Sequence, residues 1–123
     1  MSDDRPSLPV HAIAADVCVA GQLDPSILQS VADAGFKSVV NNRPDFEGGP
    51  EQPTSAAMQA AAQAAGLQYA YLPVSGGYQS PEEIARFREL LATLPRPLLA
   101  FCRSGARSGK LYQAAMAGPG EDA

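Results

Sequence analysis

The chain has 123 residues, 46% of them hydrophobic and 18% charged, a composition that fits one globular domain with a continuous core and excludes wholesale disorder. Its formal net charge of −4 argues against nucleic-acid binding, which needs a basic surface, and no apolar run approaches the roughly 20 residues that cross a bilayer. Two scattered cysteines, Cys18 and Cys102, and one histidine form neither a disulfide scaffold nor a zinc cluster, so no metal or organic cofactor is implied.

Residues 1–15 read as an N-terminal extension that opens on Met1-Ser2-Asp3-Asp4, without the positive start of a secretory signal; a reducing, cytoplasmic setting is expected. Asp16 to Ala20 is a first short strand, ended by Gly21. Asp24-Pro25 supplies an N-cap with proline at the first helical position, and Ile27, Leu28 and Val31 share one face before Gly35 stops the helix. Phe36 to Val40 is a buried strand, and Asn41 to Pro50 is rich in turn formers and reads as a loop.

Thr54 caps an alanine-rich helix over Ser55 to Ala65, closed by Gly66. Leu67 to Val74 is the third strand, followed by a Ser75-Gly76-Gly77-Tyr78 loop. Ser80-Pro81-Glu82-Glu83 then opens a helix whose Ile84, Phe87, Leu91 and Leu94 recur at core-facing spacing. Pro97 to Phe101 is a fourth strand that runs into the Cys102 loop, and Ser108 to Ala117 closes the domain as a helix. This alternation predicts an α/β domain over residues 16–117, with a small, mostly parallel four-stranded sheet flanked by helices and a flexible tail at 118–123.

Cys102-Arg103-Ser104-Gly105-Ala106-Arg107-Ser108 carries the chemistry. A free thiol is mostly protonated at neutral pH and becomes a nucleophile where positive potential lowers its pKa. A loop between a buried strand and a helix points the helix N-terminus at the sulfur, and small Ser104, Gly105 and Ala106 let successive amides form an anion-binding nest. Gly105 suits a backbone conformation or close approach that a side chain would block. Arg103 and Arg107 add charge, with Arg107 the leading electrostatic stabiliser, and Ser108 is placed to cap the helix and donate to the anion. Cys18 lacks these features and reads as core.

Over Val17 to Ala115 the chain resembles the phosphatase-like domain of beta-lactamase-hydrolase-like proteins, a bacterial family described both as phosphatases and as sulfurtransferases. The resemblance rests on Gly21-Gln22-Leu23, Gly35 to Asp45, Gln52-Pro53, Leu72-Pro73-Val74 and Cys102 to Ser108. It implies a fold similar to dual-specificity and tyrosine phosphatases, with the cysteine loop as active site.

Tyrosine phosphatases carry His-Cys-x5-Arg. Here Phe101 stands at the histidine position, Arg107 comes one residue early, and Ser108 occupies the arginine position. A phosphatase also needs a general acid, and the loop after the third strand has none. Asp45 is the first substitute and Glu47 the second, while a scaffold role for the Arg43-Pro44-Asp45 turn is an equal alternative. Tyr78 reads as an exposed loop residue rather than a pocket wall.

Cys-Arg-Ser-Gly-x-Arg-Ser is also similar to the active loop of single-domain rhodaneses, in which the cysteine carries sulfane sulfur as a persulfide and no general acid is required. The loop spacing therefore favours sulfur transfer from a small sulfane-sulfur donor to an acceptor thiol. Hydrolysis of a phosphate ester through a phosphocysteine is the alternative, and a noncatalytic anion-binding or redox-sensing module the third.

Overall fold

The computed structural model describes residues 8–117, so residues 1–7 of the expected extension and the expected 118–123 tail lie outside the described residues. In chain order the elements are β1 (Val10–Ala14), β2 (Val17–Ala20), a 3-10 turn (Pro25–Ile27), α1 (Leu28–Asp33), β3 (Ser38–Asn41), α2 (Ser55–Ala64), β4 (Gln68–Tyr71), α3 (Pro81–Thr93), β5 (Leu98–Phe101) and α4 (Ala106–Ala117).

The sheet has five strands in the order β1-β2-β5-β3-β4. β2, β5, β3 and β4 run parallel, and they are the four expected strands. The additional strand is β1, which pairs antiparallel with β2 at the sheet edge and lies within the segment read as an extension. Its burial is intermediate only at its two ends, so it lacks the alternation that marks a half-buried strand.

Side-chain alternation along β5 separates two cores. Leu98 and Ala100 face a cluster with Phe87, Leu90, Leu91, Leu111 and Ala115 from α3 and α4. Leu99 and Phe101 face Leu28, Val31, Met58 and Ala62 from α1 and α2. Full burial of β5 on both faces is what a central parallel strand requires, and it explains the unbroken Leu-Leu-Ala-Phe run.

Local signals set most helix starts. Asp24 accepts from the Ser26 amide at the 3-10 turn, and Thr54 accepts from Ala57 N at 3.2 Å. Ser80 and Glu83 form a reciprocal capping box before α3. α4 differs from expectation: it begins at Ala106, so Ser108 lies inside its first turn and does not cap it. Asn41 likewise belongs to β3 rather than to the following loop. Among the described residues, no helix is long and apolar enough to cross a membrane.

Candidate active site

The Cys102 loop begins where the carboxyl ends of β2, β5 and β3 meet, the position at which open α/β sheets place their sites. Cys102 N donates to Ala20 O at 3.2 Å, and Asn42 N donates to Phe101 O at 2.8 Å. The loop then curls back towards β2. Gly105 has φ 96°, and a Cβ there would stand 3.3 Å from the carbonyl carbon of Ala20, so both reasons expected for glycine apply. Gly21 makes room from the other side, since a Cβ on it would meet Arg103 O at 3.0 Å, and Gln22 N donates to that same oxygen at 3.2 Å.

This curl aims donors at the sulfur. Cys102 is 1% exposed, and Gly105 N donates to Sγ at 3.0 Å. Burial by itself would push the thiol up. The Ser108 amide and hydroxyl, with the Ser104 and Gly105 amides, outweigh burial and hold the thiol below its ordinary value. Ser108 is fully buried, and its hydroxyl donates to Asn42 Oδ1 at 2.8 Å, so it reaches the sulfur only by turning from that partner. Asn42 is fixed in turn by its own donation to Leu72 O at 3.0 Å. The sequence does not mark Asn42 as a site residue because Asn-Asn before Arg-Pro reads as turn chemistry; its signal is a polar pair directly following the buried Val39-Val40 pair.

Arg107 crosses to the loops after β4 and β3. Its Nη1 donates to Val74 O at 3.0 Å and pairs with Glu47 Oε2 at 3.1 Å, while Nη2 reaches Glu47 Oε1 at 3.3 Å. The side chain is 10% exposed, and its Nε is buried with no hydrogen-bond partner among the described residues. Glu47 also receives Arg43 Nε at 2.9 Å. Partial burial would push the Glu47 carboxyl up, but the two guanidinium groups prevail and hold it below its usual range. Arg43 Nη1 extends the chain of contacts to Gln22 Oε1 at 3.1 Å, so Gln22, Arg43, Glu47 and Arg107 tie three loops together.

The other expected residues fall in different places. Arg103, Ser104 and Ala106 are exposed at the mouth of the loop, and Arg103 serves the scaffold through its carbonyl. Asp45 accepts from Ser55 N at 2.7 Å at the start of α2, and its own amide donates to Tyr71 Oη at 2.8 Å. Glu47, and not Asp45, is the acid in contact with Arg107. Between them Phe46 has φ 66°, a left-handed turn rare for a bulky residue, which lets two acids two positions apart face different partners. Tyr78 is 67% exposed.

Cys18 pairs in register with Leu99, three residues before Cys102 on β5, which separates the two cysteines by roughly 10 Å along the sheet. That exceeds disulfide reach. Burial pushes the Cys18 thiol up, consistent with packing rather than reactivity.

Residues 10–119 match the family described as beta-lactamase hydrolase-like protein, phosphatase-like domain. A beta-lactamase hydrolase-like protein of Agrobacterium fabrum is 38% identical over 94 residues, covering 76% of this chain but 22% of the relative, so the chain spans only a small part of that protein's length. A candidate phosphatase from Neisseria meningitidis superposes with a TM-score of 0.79 at 26% identity, over 86% of this chain and 75% of that one. A candidate phosphatase from Shewanella putrefaciens has a TM-score of 0.74 at 17% identity, over 88% of this chain and 67% of that one, a likeness of fold.

Proposed function

The chain belongs to the beta-lactamase hydrolase-like protein, phosphatase-like domain family, and from that premise we propose that it is a cysteine-dependent phosphatase that passes through a phosphocysteine. The observation that carries this reading is the Glu47 carboxylate in contact with Arg107, an acid beside the cation that would take the phosphoryl group. An acid within reach of the anion is the component that phosphate ester hydrolysis requires and sulfur transfer does not.

Glu47 is ionised while both arginines hold it. A phosphoryl dianion that engages Arg107 withdraws one of those cations and adds negative charge nearby, and both changes favour the protonated carboxyl. Glu47 then takes a proton from solvent, which it can give to the leaving group. The Cys102 thiolate attacks phosphorus, the ester P–O bond breaks, and the leaving oxygen takes the Glu47 proton. In the second step a water gives its proton back to the Glu47 carboxylate and attacks phosphorus. The S–P bond breaks, phosphate departs, and the thiolate returns to the amides of Ser104, Gly105 and Ser108.

Sulfur transfer is the second reading. The feature that favours it is the Cys-x4-Arg spacing, with amide donors rather than an arginine contacting the sulfur. Phenyl phosphate hydrolysis and thiosulfate sulfur transfer, assayed side by side, separate the two. Wild type is expected to hydrolyse the ester, Cys102→Ser to lose all turnover, and Glu47→Gln to lose about a hundredfold. Asp45→Asn, which removes a helix-start contact, is expected to retain most activity once folded. A stable added sulfur on Cys102 by intact mass, with no ester turnover, would install the sulfur reading in its place.

A further inference from the structure

Beside Arg107 lies an open cavity of about 260 Å³, lined by Gly76, Gly77, Tyr78, Gln79 and Lys110. It adjoins the proposed phosphoryl seat. A Cβ on Gly76 would stand 3.1 Å from Arg107 Nη2, and Gln79 Nε2 donates to Arg107 O at 3.2 Å. Gly76 therefore lies against the guanidinium, and Gln79 against the Arg107 backbone. Lys110 follows Arg107 by three residues on α4, so the two side chains emerge on one face of the helix. Lys110 is exposed and takes part in none of the salt bridges among the described residues. In a chain of net charge −4, that places a second cation one helical step from the first.

The volume falls below the roughly 300–1,000 Å³ typical of sites that enclose a whole small molecule, and it suits one substituent of a ligand anchored elsewhere. Two glycines keep the floor low. Gly77 has no positive φ and nothing within 4 Å of a built Cβ, so neither strain nor crowding accounts for its missing side chain. The Tyr78 ring, 67% exposed, supplies a face against which an organic group can lie.

We propose that the Gly76–Gln79 loop and Lys110 form a leaving-group subsite that selects small phosphate monoesters bearing a second anionic group. This rests on the phosphate-ester reading above, with the phosphoryl group on the Cys102 loop and Arg107 and the second charge on Lys110.

The test compares phenyl phosphate with 4-carboxyphenyl phosphate. Wild type is expected to show a five- to tenfold higher kcat/KM for the carboxylated ester, Lys110→Gln to abolish that preference while leaving phenyl phosphate unchanged, and Lys110→Arg to retain it. Binding of benzylphosphonate and 4-carboxybenzylphosphonate to the Cys102→Ser protein gives a readout free of turnover, with the same expected order. Turnover of both esters with equal kcat/KM in wild type and Lys110→Gln would overturn the subsite and leave the phosphatase reading standing. If neither ester is turned over, the phosphatase reading fails, and the phosphonates judge the cavity alone: a preference lost in Lys110→Gln supports a two-anion site, and equal binding overturns it.

Discussion

Ser108→Ala isolates one cause of the lowered Cys102 thiol pKa. The Ser108 hydroxyl has one hydrogen, and in the resting site it goes to Asn42 Oδ1 at 2.8 Å. Asn42 cannot reverse that bond, because its amide nitrogen is engaged by Leu72 O at 3.0 Å. When Cys102 ionises, the hydroxyl has a better acceptor nearby, since a hydrogen bond to a charged group contributes about 1.5–3 kcal/mol against about 0.5–1.5 for a neutral one. Turning to the sulfur forfeits the Asn42 bond, so the net stabilisation of the thiolate is the difference, about 1–1.5 kcal/mol. Because about 1.4 kcal/mol corresponds to tenfold in an equilibrium, Ser108→Ala is expected to lower the thiolate fraction about tenfold at pH below the folded-state pKa of Cys102, and by less above it.

Iodoacetamide alkylation of Cys102 followed across pH measures that fraction, with ultraviolet absorbance of the thiolate as a second readout. Asn42→Ala provides the opposite arm. It removes the competing acceptor and should leave the thiol at least as reactive as wild type, while both variants lose about 1–3 kcal/mol of stability from an abandoned buried partner. An unchanged alkylation profile in Ser108→Ala, with the stability loss alone, would refute the reasoning and make the hydroxyl a purely structural partner of Asn42.

Two further outcomes follow from the same geometry. Glu47 is held below its unfolded value, so its ion pairs contribute stability that is present above about pH 4.3 and is lost as pH falls through the folded value. The stability difference between wild type and Glu47→Gln, from urea unfolding between pH 3 and 6, should therefore shrink on the acid side; a difference flat across that range would show that the arginine pairs are not its source. Gly105→Ala forces a side chain into φ 96° and against the Ala20 carbonyl, at about 1–2 kcal/mol for the backbone alone, and draws its amide off the sulfur. A lower Tm together with slower alkylation is expected, with Gly77→Ala as the unstrained control; loss of one property without the other would separate the loop's conformation from its role as donor.

The parts of this site that were legible in the sequence are those whose cause is local. Gly105 sits in the segment whose curl it permits, Cys102 ends an apolar strand, and Ser80-Pro81-Glu82-Glu83 contains its own capping box. β1 is not legible in the sequence, for the complementary reason. It is an edge strand whose three central residues are exposed, so it buries no face that could impress a period on the sequence. Ser108 reads in the sequence as the cap of the last helix, but it lies inside the first turn, because the sharp loop delivers Ala106 directly into helical geometry.

The contact of Glu47, rather than Asp45, with Arg107 has no local cause. Asp45 and Glu47 share one loop and one charge, and their spacing says nothing about which faces the arginine. The decision rests on contacts far apart in sequence. Asp45 is claimed by Ser55 N ten residues on, and Glu47 by Arg107 sixty residues on. A left-handed Phe46 between them turns the backbone so that both claims are met. Such a turn is disfavoured for phenylalanine, so it persists only because the bonds on either side over-determine it. Which acid meets Arg107 is thus a property of the packing around the loop and not of the loop that carries it.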